Sequence, residues 1–249
     1  MPRILITNDD GVRSPGIKAL ADALEGLGEI VVLAPVREAS AIGHALTLHH
    51  PLRLEHLRGT VYALDGTPTD CVNIAVAAVL RGLPDLVVSG INKGLNVGDD
   101  VTYSGTVSGA LEASLLGVRA IAVSLQEGEG EWRWEHAARV ARRVAEAVLR
   151  DGLPGRTFLN VNVPRGEPKG VRVTVQGKRN HSTTVSERRD PRGRPYYWIG
   201  EGQDQWLPNG SSDYEAIRAG YVSVTPLQPD LTAHPSLDAI RDLVLENDQ

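Results

Sequence analysis

Two adjacent carboxylates, Asp9 and Asp10, follow the apolar run Ile4-Leu5-Ile6 and precede Gly11. A short continuous apolar run suits a strand covered on both faces of a parallel sheet. The carboxyl edge of such a strand is where open α/β sheets take their ligands. Side by side in a buried setting, two acids repel, and one is driven toward its protonated form. A hard divalent cation removes that conflict, because it takes oxygen ligands. A polar strand-to-helix turn with an N-cap is the alternative, and this motif alone leaves both open.

Two further loops can bring ligands to the same edge. Residues 35–45 follow the apolar run 30–34 and carry Arg37, Glu38, Ser40, Gly43 and His44. Residues 89–100 follow Leu86-Val87-Val88, are rich in glycine and carry Asn92. Asp9, Asp10, Ser40 and Asn92 make a hard-metal shell with positions open for water or a phosphate oxygen. No Cys/His spacing supports zinc, so Mg²⁺ or Mn²⁺ is the physical expectation. Ser104-Gly105-Thr106 opens a helix of small residues, where free N–H groups favour a phosphate; an ordinary cap is the alternative. His44 is suited to protonating a leaving oxygen near neutral pH. Taken singly, Ser40 and His44 each read more often as a loop residue with only local hydrogen bonds.

The elements that must hold these residues follow from periodicity. Ser14-Pro15 starts a helix carrying Ile17, Leu20, Ala21, Leu24 and Leu27, with Gly28 as its stop. Strand 30–34 completes a β-α-β unit, right-handed by default. Segments 46–49 and 52–54 alternate like exposed strands, and 61–64 is another short strand. Residues 65–70 lead into a helix capped by Thr67 or Thr69, with Asp70 as a first-turn charge and Val72, Ala75, Val76, Val79 and Leu80 as its apolar face. Strands at 86–89, 120–124 and 158–163 and an amphipathic helix over 132–150 complete an α/β core with a mostly parallel sheet over residues 1–165. Gly128-Glu129-Gly130-Glu131 reads as a surface loop.

From residue 166 the texture changes. Residues 171–175 alternate, the excursion from Lys178-Arg179-Asn180-His181 to Arg194 is charged, and Tyr196-Tyr197-Trp198-Ile199 is too aromatic to leave in water. A helical piece (213–220), a returning strand (221–226) and a terminal helix (237–245) follow. Residues 166–249 read as a β-rich extension of the same globular unit that offers a surface to a partner subunit.

Composition narrows the function classes. A net charge of −5 argues against binding duplex nucleic acid, which favours a basic face. Cys71 is the single cysteine, so no intrachain disulfide forms and a reducing, cytoplasmic setting is expected. No apolar run reaches membrane-spanning length.

The combined motifs resemble the SurE (survival protein E) nucleotidases. They are Ile6-Thr7-Asn8-Asp9-Asp10-Gly11, Ser40 with Gly43-His44, Gly66-Thr67-Pro68-Thr69-Asp70-Cys71-Val72, and Ser89-Gly90-Ile91-Asn92-Lys93-Gly94. Tyr103-Ser104-Gly105-Thr106-Val107-Ser108-Gly109-Ala110 and Gly220-Tyr221-Val222-Ser223-Val224-Thr225-Pro226 match as well. Leu95 departs from the proline that the family often has before Asn96.

The resemblance implies a Rossmann-like three-layer core and a metal-dependent phosphatase acting on nucleoside 5′-monophosphates, with 3′-monophosphates as further candidates. It implies one divalent cation per subunit on Asp9, Asp10, Ser40 and Asn92, and a homodimer or homotetramer built through the C-terminal extension. Ser104, Gly105 and Thr106 are the expected phosphate contacts, and Gly43 and Asn96 the expected substrate-loop residues. Asp9 or Asp10 would take a proton from water or attack phosphorus directly, and His44 would serve the leaving group. Two rivals are a haloacid-dehalogenase-type phosphatase and a non-catalytic nucleotide-binding module. The first wants its two aspartates two positions apart, and the second wants Gly-x-Gly-x-x-Gly after the first strand.

Overall fold

In the computed structural model of the chain, the described residues are 1–128, 130–180, 183–201, 205–208 and 210–245. Glu129 of the expected surface loop and His181 of the charged excursion lie outside them. The first strand, β1 (Arg3–Thr7), buries Ile4, Leu5 and Ile6 completely. Ile4 and Ile6 belong to one apolar cluster and Leu5 to another, because successive strand side chains face opposite sides. Each such burial stabilises the fold by about 1.5–3 kcal/mol.

Helix α1 (Pro15–Leu24) begins as expected, with Ser14 as N-cap and Pro15 in the first turn. It ends at Leu24, before the expected stop. Gly26 takes a left-handed φ of +82° there, and the chain then turns so that the Glu29 amide donates to the Pro2 carbonyl at 2.8 Å. Strand β2 (Glu29–Pro35) follows.

The strand expected at 46–49 does not form, and pairing starts only at β3 (Leu54–Arg58), which runs antiparallel to β4 (Val61–Leu64). The Asp70 carboxylate claims that stretch instead. It accepts from the Thr47 amide at 2.9 Å and the Thr47 hydroxyl at 2.6 Å. Asp70 also completes a capping box with Thr67 at the start of α2 (Pro68–Ile74). Thr67, not Thr69, is therefore the cap. The expected helix continues as a π-helical turn over Ala75–Val79.

Strand β5 (Leu86–Lys93) extends past the expected end at Ser89 and carries Asn92 to the sheet edge. A 3-10 turn (Gly98–Thr102) leads into α3 (Gly105–Leu115). Then come β6 (Ala120–Leu125), α4 (Trp134–Asp151) and β7 (Phe158–Val163). The extension adds β8 (Val171–Val173), β9 (Lys178–Asn180), β10 (Thr183–Arg189), β11 (Pro195–Glu201) and β12 (Gln205–Leu207). It closes with α5 (Asp213–Arg218), β13 (Val222–Leu227), a 3-10 turn (His234–Ser236) and α6 (Leu237–Leu245).

Nine strands form the main sheet in the order β3-β4-β2-β1-β5-β6-β7-β13-β8. All strands from β4 to β7 in that order run parallel, while β13 lies antiparallel to β7. Helices α1 and α4 pack together on one face and α2 and α3 on the other, which gives a three-layer α/β core of Rossmann-like type. The extension thus supplies β13 and β8 to the main sheet, whereas β10 and β11 form a separate hairpin. Chain order reverses around β1, with β2 on one side and β5 on the other. A crevice at the carboxyl edge there is the ligand position of doubly wound sheets. Among the described residues, no helix is long and apolar enough to cross a membrane.

Candidate active site

The turn after β1 is built by short local bonds. The Asn8 side-chain amide donates to the Gly11 carbonyl at 3.1 Å and to the Ser14 hydroxyl at 2.8 Å, so the cap of α1 also shapes the acidic turn. Gly11 has φ +96°, a backbone conformation that strains any residue with a side chain, although a Cβ there would make only ordinary contact with the Arg37–Glu38 backbone. The loop after β2 is laced onto this turn: Val12 N–H donates to Pro35 O and Ala39 N–H to Asp9 O, both at 2.8 Å.

Asp9 is only 4% exposed. Burial lifts its pKa from 3.8 to about 6; the Thr106 hydroxyl, which donates to Oδ1, opposes that rise, and the charge of Asp10 adds to it. A Cβ on Gly105 would lie 2.8 Å from the Asp9 Cβ, so the start of α3 must be glycine to come this close. Asp10 is half-buried, and its Oδ2 accepts from the Lys93 amide at 3.1 Å. Burial raises its pKa too, countered by Lys93 and reinforced by Glu38.

Glu38 in turn accepts from the Ser40 hydroxyl at 2.7 Å. Asn92 donates its side-chain amide to the Gly94 carbonyl at 3.1 Å, which leaves its own carbonyl oxygen for a ligand. The acidic turn, the Ser40 loop and the end of β5 therefore adjoin at one sheet edge.

This donor set suits a hard divalent cation. It is all oxygen, and its two carboxylates are partly desolvated, raised in pKa and without an ion-pair partner among the described residues. Among those residues no group of three His, Cys, Asp or Glu side chains could hold a metal, so the Ser40 and Asn92 oxygens would be needed.

Ser104 caps α3, accepting from the Val107 amide at 3.0 Å, and its carbonyl takes the Ser108 amide at 3.0 Å. Gly105 and Thr106 lie in the unpaired first turn, and the Thr106 N–H helps to hold the Asp9 charge. The positive end of α3 thus faces the acidic turn.

His44 sits on the Ser40 loop, with Nε2 2.7 Å from Glu112 Oε2. Asn73 donates to the other oxygen of Glu112 at 2.7 Å. The His44 bond chiefly, with that of Asn73, holds the Glu112 carboxyl below its ordinary value. Gly43 donates to the Tyr103 carbonyl at 2.9 Å with φ +60°.

Asn96 points inward. Its side-chain amide donates to Ser124 at 2.8 Å, its backbone N–H to Asn162 Oδ1 at 2.9 Å, and its carbonyl accepts from Asn160 and Asn162. The expected substrate-loop residue is an anchor tying the loop after β5 to β7, a job the sequence pattern did not signal.

Glu112 and Asn73 were missed by sequence reasoning, and Glu38 was named only as a polar member of its loop. Only Glu112 carried a signal, as the lone charge on a helix otherwise made of small and apolar residues.

A family model described as survival protein SurE matches residues 4–183. A 5′-nucleotidase SurE of Syntrophotalea carbinolica is 54% identical over 239 residues, 95% of each chain. A protein of the same name from Pelobacter propionicus is also 54% identical, over 95% of this chain and 97% of that one. The crystal structure of the SurE protein from Aquifex aeolicus superposes with a TM-score of 0.87 at 45% identity, covering 97% of this chain and 99% of that one. With motifs, fold and site edge all in agreement, the chain belongs to the SurE family.

Proposed function

We propose that this chain is a 5′-nucleotidase that hydrolyses the phosphomonoester of nucleoside monophosphates at the β1/β5 edge, with one divalent cation, Mg²⁺ or Mn²⁺, per subunit. The observation that carries the reading is the Asp9-Asp10 pair, the first buried and the second half-buried, held between the start of α3 and the end of β5. The names of its relatives support the substrate class. Asp9, Asp10, Ser40 and Asn92 would hold the cation, which when bound supplies Lewis-acid polarisation of a phosphoryl oxygen and a more acidic water.

The chain's own groups do the remaining work. The first-turn amides of α3, with Ser104, favour the charge that spreads over the phosphoryl oxygens. Asp10, the more open of the two acids, takes the proton of the attacking water as the new P–O bond forms. As the ester P–O bond breaks, His44 protonates the nucleoside oxygen. Its Nε2 is bonded to Glu112, so Nδ1 is the atom that passes the proton.

Assembly of identical subunits through the extension belongs to the same reading. The β10–β11 hairpin exposes Tyr197, Trp198 and Ile199 by 60%, 63% and 81%, an apolar strip that a second copy would cover.

The test is phosphate release from 5′- and 3′-nucleoside monophosphates by metal-stripped protein, with and without added Mg²⁺ or Mn²⁺, beside Asp10→Asn. Metal-dependent release that falls about a hundredfold or more in the variant is expected. No release with either metal overturns the reading.

A further inference from the structure

A cleft of about 500 Å³ opens beside the Ser40 loop, between the carboxyl ends of β2 and β4. This volume lies in the range of small-molecule sites. The cleft is contiguous with the candidate active site, because its wall is the segment Val36–Ala39, whose Ala39 amide donates to the Asp9 carbonyl at 2.8 Å. Another cleft, of about 330 Å³, is lined by Val148, Gly152 and Leu159 at the end of α4, which leads back to the opposite edge of the sheet.

The lining divides by chemistry. Leu64 is buried at the floor, while Val36 and Ile42 are 44% and 41% exposed, which leaves apolar surface open to a flat ring. Most polar groups of the lining are already used: Thr47 on Asp70, Thr67 on Ala45 and Asp65 on the Arg53 amide. Glu38 holds Ser40. Arg37 and His50 remain, and among the described residues no hydrogen bond or ion pair engages either side chain. Apolar walls with two unengaged nitrogen donors suit a nucleobase bearing acceptors on its edge. An arginine fork matches the adjacent O6 and N7 acceptors of guanine and hypoxanthine, whereas adenine sets an N6 amino donor beside N7 and lacks that pair.

We propose that this cleft is the nucleoside subsite and that Arg37, with His50, reads the base edge, so that 6-oxopurine nucleotides are preferred. The proposal rests on the nucleotidase reading and adds a base preference to it. With the phosphate at the Asp9-Asp10 turn, the sugar crosses the Glu38–Ser40 segment and the base enters the cleft.

The test compares kcat/KM of wild type, Arg37→Ala and Ile42→Ala on GMP, IMP, AMP and p-nitrophenyl phosphate, which has no nucleoside. Wild type is expected to favour GMP and IMP over AMP. In Arg37→Ala the ratio of GMP to p-nitrophenyl phosphate should fall about tenfold, chiefly through KM. Ile42→Ala should lower the ratio for all three nucleotides, because it removes a wall and not a base-edge contact. Nucleotide hydrolysis with ratios that do not move in either variant overturns the subsite alone. Hydrolysis of no nucleotide by wild type overturns the nucleotidase reading, and the subsite with it.

Discussion

Replacing Asp9 by asparagine should make the metal-free protein more stable and at the same time inactive. In the folded chain Asp9 titrates near 6 instead of 3.8, chiefly because it is buried. A shift of about two units corresponds to about 3 kcal/mol of cost for carrying the charge in the fold. A raised carboxylate pKa favours the folded state fully below the unfolded value near 3.8, and that advantage is lost as pH rises through about 6.

Asparagine never ionises, and its carbonyl can still accept from the Thr106 hydroxyl. Its amide hydrogens need new acceptors, which offsets about 1 kcal/mol. The net gain at pH 8 is therefore about 2 kcal/mol, or about 4–8 °C in Tm for a chain of this size. Thermal melts in EDTA at pH 4 and pH 8 read this directly. The variant should melt slightly below wild type at pH 4, where only its amide cost remains, and above it at pH 8, and adding Mg²⁺ or Mn²⁺ should raise only wild type. A gap that ignores pH, or a variant less stable than wild type at pH 8, would refute the electrostatic argument.

Other perturbations follow from the same geometry. Gly105→Ala puts a methyl 2.8 Å from the Asp9 Cβ, so denaturation should show a loss of about 1–3 kcal/mol, with activity falling as the acidic turn shifts. Glu112→Gln should keep the bond to His44 in weakened form, while His44→Ala removes the proton donor and should lower kcat about a hundredfold; a pH profile of kcat that loses its alkaline limb in His44→Ala checks the assignment. Asp70→Ala strips the α2 capping box and the Thr47 anchor together, and urea unfolding should lose about 2 kcal/mol or more. Trp198→Ser with Ile199→Ser should lower the mass seen by light scattering, with melts showing little change in the subunit fold.

The legible parts of this molecule are those set by neighbours in sequence. The Ile4–Ile6 run, the Ser14-Pro15 start and the Thr67 cap each rest on contacts within a few residues, and they form where periodicity and capping rules put them. The meeting of the Asp9-Asp10 turn with the end of β5 was readable at one remove, because parallel topology sends the ends of successive strands to one edge.

What was not readable depends on long-range pairing. Segment 46–49 has strand alternation, yet Asp70 outbids a ladder for the Thr47 amide. His44 and Glu112 lie 68 residues apart, and no spacing rule joins them. Asn96 is expected as a substrate-loop residue, and nothing in its glycine-rich surroundings announces that two asparagines of β7 take its backbone.

The central claim is that a divalent cation sits between the ends of β1 and β5. Anomalous diffraction from crystals grown with Mn²⁺ tests it most directly. The account expects one peak per subunit, about 2.0–2.3 Å from carboxylate oxygens of Asp9 and Asp10, with Ser40 or Asn92 completing the shell. Well-ordered crystals without a peak there, or with manganese bound only elsewhere, would contradict it.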